Sequence, residues 1–177
     1  MKDSIRIAGI IRESIVDGPG IRFVVFCQGC AHHCKNCHNP ESWDFEGGYD
    51  CSIEKILKAI DEDPLLDGVT FSGGDPIYQA ENFYNLAIEI KKRNLNIMLY
   101  TGFTYEELLI KSKEDMYITK LLELTDLLVD GPYIEEKRDL TLLFRGSNNQ
   151  RIIDVKRSLK EQHVILDERY NNAGEIL

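Results

Sequence analysis

Three cysteines stand close together at Cys30, Cys34 and Cys37, in the spacing C-x3-C-x2-C. Thiolates are the usual ligands of iron–sulfur clusters, and a [4Fe-4S] cluster normally takes four of them. A loop that supplies three thiolates leaves one iron free to bind another molecule. Metal centres that keep an open coordination position are catalytic rather than structural. The spacing therefore predicts a cluster that does chemistry.

A fourth cysteine, Cys27, leaves a second interpretation open. Together with the other three it could close around zinc, or it could complete the ligand set of a cluster. Cys27, however, ends the apolar run 21–27, which has the pattern of a buried strand. Buried free cysteines are common and usually inert. The pattern therefore favours Cys27 as a core residue.

The other candidate ligands are predicted to have supporting roles. His32, His33 and His38 flank the cysteines, and we expect them beside the cluster, as partners of its sulfurs, or at the surface. Cys51 precedes a predicted helix, and we expect it to be structural.

Composition limits the class of protein. The chain has 177 residues, a net charge of −9 and a hydrophobic fraction of 43%. We expect one domain over residues 1–177. The acidic charge argues against nucleic-acid binding. No run approaches the ~20 apolar residues of a membrane span, and no signal-peptide pattern follows the N-terminus. Cysteines clustered for a metal indicate a reducing compartment, and we expect a cytoplasmic protein.

Strand-like and helix-like apolar patterns alternate along the chain. Predicted strands cover residues 5–11, 21–27, 69–71, 97–100 and 127–129, with weaker candidates at 152–155 and 164–166. Predicted helices cover residues 53–60, with Ser52 as the N-cap, then 80–92, 105–110 and 118–122. This alternation predicts an α/β fold with a mostly parallel sheet. Because a complete eightfold barrel needs ~200 residues or more, we expect a partial, open (β/α) barrel or a curved sheet.

Loops of unusual composition follow four of the predicted strands. In parallel α/β folds, ligands bind outside the carboxyl ends of the strands, so these loops should meet at one edge of the sheet. The loops carry the three clustered cysteines, Gly73-Gly74-Asp75, Thr101 and Asp130.

The chemistry of Gly73, Gly74 and Asp75 suits a ligand with an ammonium group. Paired glycines expose backbone N–H and C=O groups at close approach, and the neighbouring carboxylate can accept from an ammonium. The open iron could be chelated by an amino group and a carboxylate of one molecule. An amino acid that carries a sulfonium would suit both halves of the site.

Together these motifs resemble the radical S-adenosylmethionine (SAM) superfamily and, within it, the activating proteins of anaerobic ribonucleoside-triphosphate reductase. The matching segments are Asp17-Gly-Pro-Gly-Ile-Arg22, Gln28-Gly-Cys30, Cys37-His-Asn-Pro-Glu41 with Trp43, Ser72-Gly-Gly-Asp-Pro76, Tyr100-Thr-Gly102, Val129-Asp-Gly131 and Arg145-Gly-Ser-Asn-Asn-Gln150. The resemblance implies a [4Fe-4S] cluster on Cys30, Cys34 and Cys37, and reductive cleavage of SAM to a 5′-deoxyadenosyl radical. It also implies removal of a hydrogen atom from a backbone glycine of the reductase, with the electron supplied by a flavodoxin-like or other low-potential donor.

The resemblance also implies roles for residues outside the cluster loop. Asn36 takes the position before the third cysteine, which is often aromatic in the superfamily and packs near the adenine. The implied contacts to SAM are Asn36, Gly73, Gly74, Asp75, Thr101 and Asp130, and the implied contacts to SAM or to the partner are Arg145, Asn149 and Gln150.

Two other functions stay open at this point. One is a small radical SAM enzyme that acts on a small molecule, such as a deazapurine-forming synthase; the other is a non-catalytic zinc module built on four cysteines. The short chain favours a protein substrate, because only Cys27 and Cys51 remain for a second cluster and no spare domain is left to close over a small molecule.

Overall fold

The predicted strands pair into one seven-stranded sheet with the order β3-β1-β2-β4-β5-β6-β7. The structure is a computed structural model that describes residues 3–171. The strands are β1 (Ser4–Ser14), β2 (Arg22–Cys27), β3 (Tyr49–Ser52), β4 (Gly68–Gly73), β5 (Asn96–Tyr100), β6 (Leu127–Asp130) and β7 (Arg151–Asp154). The predicted strands 5–11, 69–71, 97–100 and 127–129 lie within β1, β4, β5 and β6, and the prediction 21–27 begins one residue before β2. Strand β3 was not predicted.

The sheet is mixed, so the prediction of a mostly parallel sheet is wrong. Strands β2, β4, β5 and β6 run parallel to one another, but β1 pairs antiparallel with β2 and β3, and β7 pairs antiparallel with β6. A parallel pair needs a crossover connection, usually a helix, whereas an antiparallel pair does not. Only a short 3₁₀ turn (Glu135–Lys137) stands between β6 and β7. The sheet is open, with β3 and β7 at its two edges.

Six α-helices accompany the sheet in the described residues. They are α1 (Ile53–Asp61), α2 (Ala80–Lys92), α3 (Tyr105–Lys111), α4 (Met116–Leu124), α5 (Val155–Glu161) and α6 (Glu168–Asn171). The Ser52 side chain accepts from the Lys55 amide, which confirms the predicted N-cap, and α2 has the predicted bounds. The weak strand candidate at 164–166 forms only a single bridge, between Leu166 and Ile153.

Side-chain alternation along the strands separates two faces of the sheet. Phe23, Val25 and Cys27 point into the main core, which the helices complete with residues such as Phe83 and Leu108. The opposite face carries a small cluster formed by Met98, Leu127, Val129 and Ile152, with Tyr100, Phe144 and Tyr170 packed against it. The helices therefore cover one face and leave much of the other to loops. No helix within residues 3–171 combines the length and the apolar character needed to cross a membrane.

Candidate metal centre and its cavity

A cavity of about 570 Å³ opens on the sheet face opposite the helices. Phe26, Ser72 and Tyr100, from the ends of β2, β4 and β5, line its floor. The same cavity is lined by Cys30, Cys34, Cys37, Gly73, Gly74, Thr101, Arg145 and Gln150. Its volume lies in the ordinary range of small-molecule sites, about 300–1,000 Å³. The structure thus brings the cysteine loop together with all three strand-end loops that the sequence singled out, the loop after β6 contributing Gly131.

The three clustered cysteines are available as ligands. All five cysteines lie within the described residues and are free thiols; Cys30 is buried, and Cys34 and Cys37 are half-buried. Burial raises the pKa of Cys30 to about 11 and also raises the pKa of Cys34. Ligation requires thiolates, so metal binding here must release protons.

Cys27 lies apart from these three thiols. Its side chain is fully buried in the main core, and the Gln79 amide nitrogen donates to its sulfur at 3.1 Å. Burial also raises the pKa of Cys27. Cys27 is not among the residues that line the cavity, so the four cysteines do not surround one space.

The donor set fits a cubane cluster better than a single ion. Across residues 3–171, no three His, Cys, Asp or Glu side chains converge on one point as a mononuclear zinc centre requires. A [4Fe-4S] cluster makes no such demand, because its thiolates bind separate irons. The cavity wall also holds buried donors that have no partner in the described part of the chain, the Trp43 indole N–H and the Arg145 Nε. A bound molecule with acceptor groups would satisfy them.

The paired glycines at the end of β4 allow it to pack against the cysteine loop. Gly73 has φ +91°, and a Cβ there would stand 2.6 Å from the Cys27 amide nitrogen. A Cβ on Gly74 would stand 2.4 Å from the Gly29 carbonyl oxygen. The Gly74 amide donates to the Cys27 carbonyl at 2.7 Å. These glycines line the cavity, as predicted, but they also have a structural role, because only glycine permits this contact.

Asp75 does not reach the cavity surface, which corrects the expectation that its carboxylate is free for a ligand ammonium. The side chain is 0% exposed. Its Oδ2 accepts from Thr101 Oγ1 at 2.9 Å, from the Gly102 amide at 3.0 Å and from His32 Nε2 at 2.7 Å. Its Oδ1 accepts from the Ile77 amide at 3.0 Å. Asp75 therefore joins the cysteine loop to the end of β5.

His32 is the residue through which Asp75 reaches the cysteine loop. Its ring packs edge-on against Phe103 at 4.5 Å between centroids. A Cβ on Gly102 would stand 2.5 Å from this ring, so glycine is needed at that position. The sequence predicts His32 beside the cluster or at the surface but identifies no hydrogen-bond partner for it. Its position between Cys30 and Cys34 is the only sequence signal that it links Asp75 to the cysteine loop.

Asp130, at the end of β6, also lies away from the cavity. It is 1% exposed and accepts from the Tyr105 amide at 2.8 Å and from Arg151 Nε at 3.0 Å, with a further bond from Arg151 Nη2. Arg151 also pairs with Glu106 at 2.7 Å. Hydrogen bonds from Arg151 to Asp130 and Glu106 raise the pKa of Arg151. The carboxylate thus holds the start of α3 and the β6–β7 pair together.

Asn36 is exposed and is not among the cavity-lining residues. Its φ of +57° is left-handed, a conformation that asparagine tolerates better than most residues. Aromatic side chains that the sequence did not identify as a group also line the cavity; they are Phe26, Trp43, Tyr100, Tyr133 and Phe144. They offer the stacking surfaces that Asn36 cannot supply.

The loop 145–150 folds over one side of the cavity. Gln150 Oε1 accepts from the Gly146 amide at 2.9 Å and from the Ser147 amide at 3.2 Å, which gives the loop a defined shape. Arg145 donates to the Tyr170 carbonyl at 3.2 Å, and burial lowers the pKa of Arg145. Arg145 and Gln150 line the cavity, whereas Asn149 turns away and donates to the Pro132 carbonyl at 2.8 Å.

A larger depression of about 960 Å³ lies between α1 and α2. It is lined by charged side chains such as Asp61 and Arg93, which pair with each other at 2.6 Å, and by none of the cysteines. Its residues offer no ligand set for the predicted chemistry.

Comparison with known proteins gives consistent matches. Residues 16–153 match the family described as a 4Fe-4S single cluster domain. The anaerobic ribonucleoside-triphosphate reductase-activating protein of Haemophilus influenzae is 32% identical over 144 residues, which cover 77% of this chain and 89% of the relative. The protein of the same name from Enterobacteria phage T4 is 35% identical over 143 residues, with 77% and 86% covered. The pyruvate formate-lyase 1-activating enzyme of Escherichia coli strain K12 is 34% identical over 162 residues, which cover 88% of this chain and 62% of that enzyme.

Proposed function

Because the chain belongs to the 4Fe-4S single cluster domain family and to the anaerobic ribonucleoside-triphosphate reductase-activating proteins, we propose that it is a radical SAM enzyme that generates a glycyl radical on that reductase. One observation carries the proposal: Cys30, Cys34 and Cys37 line one cavity together with the end of β4, while Cys27 lies in the core behind it. A site with three cysteines leaves the fourth iron for SAM.

Different residues of the cavity are proposed to bind the cluster and SAM. Cys30, Cys34 and Cys37 would hold the cluster, which when bound supplies the electron that cleaves SAM. Gly73, Gly74 and Thr101 are proposed to contact SAM directly, because they line the space next to the cysteines. Arg145 and Gln150 line the same space and are proposed to contact SAM or the partner.

The remaining candidate residues are proposed to position others. Asp75 acts through His32 and Thr101, and Asp130 acts through Arg151 and the first turn of α3. Asn36 shapes the turn before Cys37, and Asn149 anchors the loop 145–150 to Pro132.

The proposed reaction takes one hydrogen atom from the Cα of a partner glycine. The C–H bond breaks, the hydrogen passes to the adenosyl 5′ carbon, and the unpaired electron stays on the glycine. The electron for SAM cleavage is proposed to come from a flavodoxin-like or other low-potential protein. We also propose a cytoplasmic location, in keeping with five free thiols, and the partial open (β/α) barrel of the radical SAM type as the architecture.

A second protein target follows from the relative that activates pyruvate formate-lyase 1. The chain spans 62% of the length of that enzyme but 86–89% of the reductase-activating proteins of Haemophilus influenzae and phage T4. This difference in coverage favours the reductase as the substrate.

Isotope transfer tests the proposed function. The protein is loaded anaerobically with iron and sulfide, reduced, and mixed with SAM and a reductase whose glycines carry deuterium at Cα. We expect deuterium in 5′-deoxyadenosine and a glycyl-radical doublet in the EPR spectrum. Cys30→Ala should lose both iron and transfer, and Cys27→Ala should retain iron. The proposal fails if the label stays on the glycine while a small molecule gives transfer without a partner; zinc without sulfide in the purified protein would instead favour the zinc module.

A further inference from the structure

Two neighbouring histidines stand between the first two clustered cysteines, and their surroundings differ. The His32 side chain is 17% exposed, and its Nε2 lies 2.7 Å from Asp75 Oδ2. His33 is exposed, has φ +49° and packs edge-on against Trp43 at 4.8 Å between ring centroids. The two imidazoles have the same chemistry, so any difference in their roles must come from what each ring contacts.

Asp75 holds the cysteine loop on both sides of Cys30. The Asp75 backbone amide donates to the carbonyl of Gly29, one residue before Cys30, at 2.9 Å. Its carboxylate binds the ring of His32, two residues after Cys30. Because an ionised carboxylate only accepts, the ring nitrogen that faces it carries the hydrogen. Cys30 is 8% exposed, whereas the other two cysteines of the cluster loop are half-buried. One aspartate therefore fixes the backbone around the most buried of the three thiols.

The His32 ring is held in one position by the ends of β4 and β5. Phe103 packs edge-on against it at 4.5 Å between centroids, and a Cβ on Gly102 would stand 2.5 Å from it. The Gly102 amide donates to the same Asp75 oxygen at 3.0 Å. The Asp75 side chain is 0% exposed, so water does not compete for its hydrogen bonds. The anchor of His32 is therefore buried and rigid.

The backbone amide of His32 is directed at the sulfur of Cys30. Burial raises the pKa of the Cys30 thiol to about 11, and the hydrogen bond from the His32 backbone amide partly offsets that rise. The Cys37 sulfur accepts from the Asn39 amide, also two residues further along the chain, at 3.4 Å. Hydrogen bonds to the sulfurs are among the factors that set the reduction potential of an iron–sulfur cluster. Because the ring and the amide belong to one residue, the anchor on Asp75 also fixes the direction of this amide.

We propose that His32 is a positioning residue of the metal centre: anchored on Asp75, it keeps its backbone amide on the Cys30 sulfur and thereby raises the reduction potential of the cluster. The step that it favours is the entry of one electron from the low-potential donor, with no covalent bond made or broken. The inference rests on the proposed function only for the presence of the cluster.

Redox titration of the reconstituted cluster, followed by EPR without SAM or a partner protein, tests this inference in three variants. His32→Leu keeps apolar bulk beside Phe103 and removes the nitrogen that faces Asp75. His32→Gln restores an N–H donor on a side chain of similar reach. His33→Asn is the matched control, because it removes the neighbouring imidazole and asparagine tolerates the positive φ at that position.

In His32→Leu we expect the equilibrium constant for one-electron reduction to fall by about tenfold, which places the midpoint about 59 mV lower, while His33→Asn stays within about twofold of the wild type. His32→Gln should recover most of the shift, which a merely structural loss would not allow. Equal shifts in His32→Leu and His33→Asn would overturn the inference, and so would a wild-type midpoint in His32→Leu. If His32→Leu takes up no iron, the inference stands when His32→Gln and His33→Asn both keep the cluster, and it falls when either loses it.

The outcomes for this inference and for the proposed function are distinguishable, because the titration uses neither SAM nor the reductase. If the wild type transfers no label while His32→Leu shows the lower midpoint, the proposed function falls and the role of His32 stands. If the wild type transfers label while His32→Leu keeps the wild-type midpoint, only the role of His32 falls. Zinc without sulfide in the purified wild type would overturn both.

Discussion

The ends of β4 and β6 look alike in the sequence and behave differently in the structure. Strand β4 ends at Gly73 and strand β6 is followed by Gly131; both glycines have φ +91°, and each has a buried aspartate close by. A Cβ on Gly73 would collide with the backbone of β2, whereas a Cβ on Gly131 would meet only Asn149, at 3.7 Å from its Nδ2 and 4.0 Å from its carbonyl oxygen. Glycine is needed at position 73 because a Cβ has no room there and because φ is positive. At position 131 it is needed only because φ is positive.

The two aspartates extend the contrast. Asp75 accepts hydrogen bonds from His32 of the cysteine loop and from Thr101 and Gly102 beyond β5. Asp130 binds Arg151 and the first amide of α3. One carboxylate therefore positions parts of the metal centre, while the other holds secondary structure together. A glycine and a buried aspartate near a strand end therefore mark a place where the aspartate holds separate segments together. Which segments it holds depends on the residues that pack against that strand end.

The largest expected effect comes from adding a methyl group at each glycine. Gly131→Ala should lower the free energy of unfolding by about 1–2 kcal/mol, the cost of a left-handed alanine. Gly73→Ala carries the same cost plus about 1–3 kcal/mol or more for overpacking, because the colliding atoms are backbone atoms of β2. Urea unfolding of both metal-free variants measures the difference. Equal losses of stability would remove the first half of the contrast.

Replacing each aspartate by asparagine should separate metal binding from stability. In Asp75→Asn an NH₂ group takes the place of one acceptor oxygen, so at least one of its four donors loses its partner, at a cost of about 1–3 kcal/mol. Because one of these donors is His32, we expect less iron after reconstitution and a changed EPR spectrum of the reduced cluster.

Asp130→Asn is the matched variant, and it should lose comparable stability while its iron content and cluster spectrum stay at the wild-type values. If Asp130→Asn lost iron to the same extent as Asp75→Asn, the end of β6 would belong to the metal centre as well.

Much of the fold was predictable because its elements have strong local signals. Helix α2 shows clear apolar spacing and was predicted with its bounds, and Ser52 was identified as a cap. Strand β3 was missed because it is short and buries only Cys51 among its four residues. Helix α5 was missed because Val155, its first residue, continues the apolar run of β7. Whether β7 runs parallel or antiparallel depends on the strand with which it pairs, and no local sequence pattern indicates that strand.

The candidate site was predictable as a set of loops but not as a set of contacts. The cysteines and the paired glycines meet where the strand-end rule requires, because topology alone brings those loops together. Whether the side chain of Asp75 or Asp130 faces the ligand or the protein depends on donors distant in sequence, such as His32 and Arg151. The aromatic side chains of Tyr133 and Phe144 likewise come from the connection between β6 and β7, where the short 3₁₀ turn Glu135–Lys137 gives no local signal of their position.

The smallest expected effect concerns Glu106, the second partner of Arg151. The hydrogen bond from Arg151 lowers the pKa of Glu106 below its ordinary value of 4.5. A carboxyl whose pKa is lower in the folded state adds stability above its unfolded pKa and loses it as the pH falls through the folded value. Because the Glu106 side chain is 58% exposed, water and salt screen the pair, and Glu106→Gln should cost less than about 1 kcal/mol at pH 7.

Urea midpoints at pH 7 and pH 3 measure this contribution, and the difference between Glu106→Gln and the wild type should shrink at the lower pH. Glu114→Gln, at another exposed acidic position, is the control for the change of net charge. A loss well above 1 kcal/mol in Glu106→Gln would mean that the exposed pair, rather than buried Asp130, holds Arg151 in place. The stability of the segment around the end of β6 would then come from an exposed ion pair. It would differ from the buried hydrogen bonds of Asp75 even more than we infer.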